Sequence, residues 1–265
     1  MVAGRRGRVA DMTTGHLLLV AGAGVVAGVI NGVVGAGTLI TFPLLVALGI
    51  PPVLANGTNT TGLFPGAISS AFVYRKTLRE HTRLIAVMAA AAAVAAALGA
   101  GLVLALPSTV FARVVPILIL VAVVLVLLQP TLTKVSKRWI NEHDAREFPH
   151  RTSSVVTAAG VGVYGGYFGG GQGIVLMGLL PVVFAPDLQR SNAVKNVLAA
   201  TANATAALVF IIAGRVLWPV ALTLAISSIV GGYIGSHAAT RLPATAFRVV
   251  IAVVGIVAAI TLFVR

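Results

Sequence analysis

Residues 17–74 pass through 58 positions without one charged side chain. A single bilayer crossing takes about 20 residues, so this stretch must hold at least two crossings and something shorter. Further charge-free spans cover residues 84–112, 114–133, 152–186, 196–214, 216–240 and 249–264. With 58% hydrophobic and 9% charged residues, the chain has too little charge to cover a water-facing surface of its length. An all-α, multi-pass helical membrane bundle follows, because only backbone that satisfies its own hydrogen bonds can cross lipid as a single span.

Within that bundle a glycine-rich interruption occurs twice. The first copy is G-V-I-N-G-V-V-G-A-G-T, from Gly28 to Thr38, and the second is G-V-Y-G-G-Y-F-G-G-G-Q, from Gly162 to Gln172. Lipid cannot hydrogen-bond an interrupted helix, so such breaks belong where they line a cavity or face protein. Paired breaks at matching positions of two halves point to a transporter's binding site. The duplication extends further: Asn56 and Asn59 match Ala193 and Asn196, and the Leu106-Pro107 and Leu242-Pro243 pairs precede the last helix of each half. The N-terminal segment resembles a secretory leader, but residues 17–37 have an internal counterpart at 155–171, so it reads as the first membrane helix.

The expected organisation is an N-terminal segment (1–16), a first transmembrane repeat (17–130), a charged linker (131–151) and a second repeat (152–265). Each repeat is expected to hold four crossings: about 17–35, 57–74, 84–106 and 110–128, then about 154–170, 193–212, 216–240 and 246–264. That makes about eight transmembrane helices. Two short segments, about 38–49 and 173–184, span only about 18 Å and read as half-helices or re-entrant hairpins.

Net charge is +13, from 19 Lys and Arg against 6 Asp and Glu. The cations sit in short loops beside apolar spans, which indicates membrane orientation rather than nucleic-acid binding. Four crossings per half place 14 cations on one side, among them Arg5, Arg6, Arg8, residues 75–83 and the linker cations. On that count both termini are cytoplasmic and the halves share one orientation.

Two sets of residues carry candidate chemistry. Gly24, Gly28 and Gly32, like Gly162, Gly166 and Gly170, recur every fourth position and suit close helix packing. Gly35 and Gly37, and Gly169, Gly170 and Gly171, precede the short segments, which begin at Thr38 and Gln172. Unwound backbone before a half-helix presents free N–H groups and a positive dipole end, a setting for an anion. Beside these lies a polar stripe of Asn192, Asn196 and Asn203 with Lys195, matched by Asn56, Asn59, Gly66 and Ser70. Asparagines of this kind also serve simply to cross-link helices. An ammonium at mid-helix costs about 2.5–3.5 kcal/mol, and no carboxylate occurs in any membrane span. Lys195 therefore either snorkels to the interface or pairs with an anionic ligand.

Asp11, Glu80, Glu142, Asp144, Glu147 and Asp187 are all in loops. An intramembrane carboxylate relay is thus not expected, nor an enzyme, a metal site or any cofactor. No dinucleotide fingerprint or P-loop is present, since no acid follows the second glycine cluster at about 20 residues and no Gly-Lys-Ser/Thr tail occurs.

The segments N-G-V-V-G-A-G-T-L-I-T-F-P (31–43), A-N-G-T-N (55–59), G-G-Y-F-G-G-G-Q-G (165–173) and K-N (195–196) resemble the sulfite exporter TauE/SafE family of membrane permeases. The resemblance runs from about 17 to 264. Ala36 stands where a third consecutive glycine is usual, and Met177 where the first repeat has Pro43. The resemblance implies a multi-pass permease of the inner (plasma) membrane for sulfite, sulfonates, sulfoacetate-like or other small organic anions. The expected function is secondary transport of a small anion by alternating access at the repeat interface. Candidate binding residues are Asn31, Gly35, Gly37, Thr38, Thr58, Asn59, Gly169, Gly170, Gly171, Gln172, Lys195 and Asn196. A proton or sodium ion is compatible as the coupling ion. The alternative is a translocase of an anionic lipid carrier such as a polyprenyl phosphate.

Overall fold

The computed structural model describes residues 13–79, 81–142, 149–184, 187–238 and 244–264. The expectations for Arg5, Arg6, Arg8, Asp11, Glu80, Asp144, Arg146, Glu147, Arg241, Leu242, Pro243 and Arg265 fall outside the described residues. Ten α-helices are present among them: α1 (Thr14–Val33), α2 (Thr38–Ala47), α3 (Pro52–Val73), α4 (Thr82–Ala105), α5 (Ser108–Glu142), α6 (Arg151–Tyr167), α7 (Gln172–Val183), α8 (Leu188–Ile212), α9 (Trp218–Ala238) and α10 (Ala244–Val264). Six of them (α1, α4, α5, α8, α9 and α10) contain segments long and apolar enough to cross a membrane. The two short helices have 10 and 12 residues and begin where the glycine breaks end. The charged segment after residue 131 begins as helix, since α5 runs on to Glu142; Lys, Arg, Glu and Gln are good helix formers once a turn exists to extend.

Two seams of small residues set the packing. Along the first, α9 lies parallel to both α1 and α3. A methyl group at Gly28 would sit 2.6 Å from the Ser228 carbonyl oxygen, and one at Gly66 only 2.5 Å from the same atom. Ser70 donates to the Gly232 carbonyl (3.2 Å), and Ser228 donates to the Gly62 carbonyl (2.9 Å). Along the second seam α4 lies parallel to α6, where a methyl at Gly162 would be 2.8 Å from the Ala92 carbonyl oxygen. In lipid, where apolar burial drives little, such backbone approach and interhelical hydrogen bonds carry association. Gly24, Gly28, Gly32, Gly162 and Gly166 act here as packing positions, whereas Gly170 lies past the end of α6 in the second break.

These pairings fix the helix directions. α3 and α8 run antiparallel, since Tyr74 at the end of α3 meets Asn192 near the start of α8, while Thr58 meets Leu217 beyond the end of α8. Both short helices reverse the chain. Val183, the last residue of α7, accepts from the His150 amide (3.0 Å) and the Ser154 hydroxyl (2.8 Å) at the start of α6. α1, α3, α5, α7 and α9 therefore point one way, and α2, α4, α6, α8 and α10 the other. This corrects the like orientation expected of the two halves: α1 and α6 are antiparallel. The charge count takes the short segments to leave the chain direction unchanged, whereas each adds a reversal.

Exchanging α1–α5 for α6–α10 converts the contact of α1 with α9 into that of α6 with α4, and the contact of α2 with α10 into that of α7 with α5. α1, α3 and α9 form one block and α4, α6 and α8 the other, joined mainly through α3 and α8.

Candidate functional site

Both breaks begin with the same helix ending. The Gly35 amide donates to the Ile30 carbonyl (2.9 Å), and the Gly169 amide to the Tyr164 carbonyl (3.1 Å). Gly35 and Gly169 have φ of +83° and +73°, a left-handed conformation that glycine adopts without a Cβ penalty. After that the breaks diverge. Gly37 returns to right-handed backbone and its amide donates to the Asn31 side-chain oxygen at 2.7 Å. Gly171 is left-handed again at φ +79°, and the Tyr164 hydroxyl donates to the Gly170 carbonyl.

The two hairpins meet. The Gly173 amide donates to the Gly35 carbonyl (3.2 Å), and a methyl at Gly35 would lie 2.6 Å from the Gly173 Cα. Phe42 of α2 and Phe168 of the second break pack edge to face at 5.4 Å. Around this contact a narrow cavity is lined by Asn31, Gly35, Thr38, Ala67, Gly169, Gln172, Gly173, Lys195, Asn196, Ala199 and Asn203. Its volume of about 20 Å³ is room for about one water.

Lys195 dominates the cavity. It is 0% exposed, so it does not snorkel to the interface. Its ammonium donates to the Asn31 carbonyl at 3.4 Å, a long bond to a neutral acceptor. The one acid with a described side chain, Asp187, lies beside Arg190 at 3.7 Å. Asn196, 3% exposed, has a side-chain nitrogen with no protein acceptor, and Gln172 donates to Asn203 at 3.3 Å. The cavity thus gathers donors around a positive charge, while part of the helix-end N–H capacity is already taken by Asn31 and Gly35.

Seven of the twelve sequence-derived candidates line this cavity: Asn31, Gly35, Thr38, Gly169, Gln172, Lys195 and Asn196. Five serve beside it. Gly37 starts α2 under the Asn31 cap, and Gly170 and Gly171 shape the second break against Phe168 and Ala122. Asn59 donates to Thr38 (3.3 Å) and accepts from Thr41. Thr58 accepts from the Leu217 amide at 2.9 Å and so holds the α8–α9 turn. Asn203, seen in the sequence as part of the stripe, belongs to the lining; Ala67, Gly173 and Ala199 had no polar signal to mark them.

A bundle of apolar helices folded around a buried, donor-rich centre is the architecture of a multi-pass membrane protein. The chain belongs to the sulfite exporter TauE/SafE family, whose pattern matches residues 20–262, and is a membrane transporter of that family. It is similar to the probable membrane transporter protein YfcA of Escherichia coli K12, 28% identical over 232 residues covering 86% of this chain and 81% of the relative. A probable membrane transporter protein of Haemophilus influenzae is 26% identical over 213 residues, 80% of this chain and 81% of its own. Another, ORF9 of a Sinorhizobium species, is 29% identical over 243 residues, 89% and 88% of the two chains. No solved structure matches.

Proposed function

We propose that this transporter carries a small anion, sulfur-containing or organic (sulfite, a sulfonate or a sulfoacetate-like species), and binds it against Lys195 where the two hairpins meet. The single observation behind this is a fully buried lysine whose protein acceptor is one backbone carbonyl at 3.4 Å. A buried charge demands a counter-charge or a dense set of hydrogen bonds, and an anion would supply both. Asn196 contributes its free amide nitrogen, with Gln172, Asn203 and Thr38 completing the donor set. The Gly35, Gly37, Gly169, Gly170 and Gly171 backbone shapes the chamber, while Thr58 and Asn59 hold it from outside.

On this reading the two halves are inverted repeats, each with four long helices embedded in the bilayer and one short returning helix. Alternating access opens the chamber first to one face and then to the other, between the α1–α3–α9 block and the α4–α6–α8 block. The helix directions gather Arg75, Lys76, Arg79, Arg83, Lys134, Arg138, Arg151, Arg190 and Arg248 at one end of the bundle, against Arg113 and Arg215 at the other. By the positive-inside rule the richer end is cytoplasmic. The start of α1 and the end of α10 then face outward, opposite to the orientation expected from four crossings per half.

The test is flux of labelled sulfite into proteoliposomes, beside a thermal-shift screen of sulfite, thiosulfate, sulfonates, carboxylates and phosphate. A bound species at 100 times its dissociation constant adds about 2.7 kcal/mol of stability. Lys195→Ala is expected to remove both flux and shift while the protein stays in the membrane; unchanged flux in that variant overturns the site.

A further inference from the structure

A second cleft, sharing no lining residue with the Lys195 chamber, lies at the end of the bundle where α4 and α6 both begin. Arg83 and Arg151 stand at its rim, and Leu84, Val87, Val155 and Val156 form its walls, enclosing about 550 Å³. Both arginines are solvent-exposed. Among the described residues neither is engaged in an ion pair or a hydrogen bond. One helical turn deeper the walls become bare hydrocarbon: Val87 is 50% and Val156 64% exposed. A polar, cationic rim above an open apolar flank follows the profile of a bilayer leaflet from headgroup to acyl chain.

The helix ends reinforce the sign of this rim. Because α4 and α6 are parallel and packed side by side, their positive dipole ends lie together. Neither is closed by its own cap, since His81 and His150 make no side-chain hydrogen bond to the first turn. The corresponding seam at the other end of the bundle, where α1 and α9 begin, differs. There Thr13 caps α1 by accepting from the His16 amide at 3.3 Å, and no Lys or Arg falls in the first turns of α1 and α9, Arg215 lying just before α9. Among the described residues, Arg79 and His81 also stand beside the α4 start.

We propose that the α4–α6 cleft binds an anionic phospholipid of the surrounding bilayer, its phosphate held between Arg83 and Arg151 and an acyl chain laid along Val87 and Val156. Basic pockets between transmembrane helices at the cytoplasmic surface are a recurring solution for anionic headgroups, and paired guanidinium groups match phosphate geometry. The occupant would tie α4 to α6 at the end of the bundle where α3 and α5 also finish. The inference concerns the lipid environment and is independent of the cargo assigned to Lys195.

Full-length protein in neutral detergent is melted with dimyristoylphosphatidylglycerol, dimyristoylphosphatidylcholine or inorganic phosphate. Phosphatidylglycerol is expected to raise the melting temperature by several degrees, and the other two not. Arg83→Gln/Arg151→Gln loses that rise, whereas Arg75→Gln/Lys76→Gln, at the same end of the bundle, keeps it. Native mass spectrometry gives a second readout: the wild type retains one more phosphatidylglycerol than the Arg83→Gln/Arg151→Gln variant. An undiminished rise in that variant, an equal loss in the Arg75/Lys76 control, or an equal rise with inorganic phosphate overturns the lipid site.

Discussion

The two glycine breaks are built to one plan and finished differently. Both end a helix on a left-handed glycine, Gly35 or Gly169, with the same hydrogen bond reaching back. Each then places one polar side chain over the turn. In the first break it is Asn31, projecting from α1 to cap Gly37. At the matching place in the second stands Gly165, and the space a Cβ would take there is filled by Gln172, folded back from the start of α7. The helices that follow differ more. Asn59 of α3 is engaged by Thr38 and Thr41, whereas its counterpart Asn196 of α8 keeps a free donor beside Lys195. The first half supplies a closed polar wall, and the second the charge and the unspent donors. A duplicated frame thus conserves backbone geometry where the chain must turn, and lets side chains diverge where a ligand would sit.

The largest effect should separate Lys195 from Thr58, its counterpart in the first half. Lys195→Met should abolish anion-induced stabilisation, and Thr58→Val should leave it intact, as read by thermal shift with sulfite. Loss of the anion effect in Thr58→Val alone would reverse the assignment of roles. Next comes the shared turn: Gly35→Ala should destabilise by more than about 2 kcal/mol, from left-handed strain of about 1–2 kcal/mol plus the 2.6 Å approach to Gly173. Gly49→Ala, at φ +87° with open space around it, should show the strain alone; equal melting shifts would mean the hairpin contact adds nothing. Asn31→Ala should cost about 1 kcal/mol as a lost helix cap, with a matching rise in exchange at the Gly37 amide. The smallest effect is Thr58→Val on stability itself, about 0.6 kcal/mol for an interhelical bond in lipid, measured by unfolding in detergent.

Much of the bundle is legible in the residues, because apolar length and glycine clusters act locally. The expected short segments at 38–49 and 173–184 correspond to helices Thr38–Ala47 and Gln172–Val183. Helix direction is not local. It depends on whether ten residues after Gly37 carry the chain onward or back, and charge counting decides that only after the answer is assumed. The same limit applies to the site. Lys195 stands out because an ammonium in an apolar span needs explaining, but Thr58 and Asn59 look equally polar and turn toward Leu217 and Thr41 instead. Ala67 and Ala199 line the chamber by being small, which no chemical signal announces.

The glycine seams bear on how such a chain is made. Gly28 and Gly66 in the first half close against Ser228 and Gly232 in the second, so α1 and α3 cannot complete their packing until nearly the whole polypeptide has been synthesised. Early helices must wait in lipid with their smooth faces unmatched, and assembly ends with α9 slotting between elements inserted long before it.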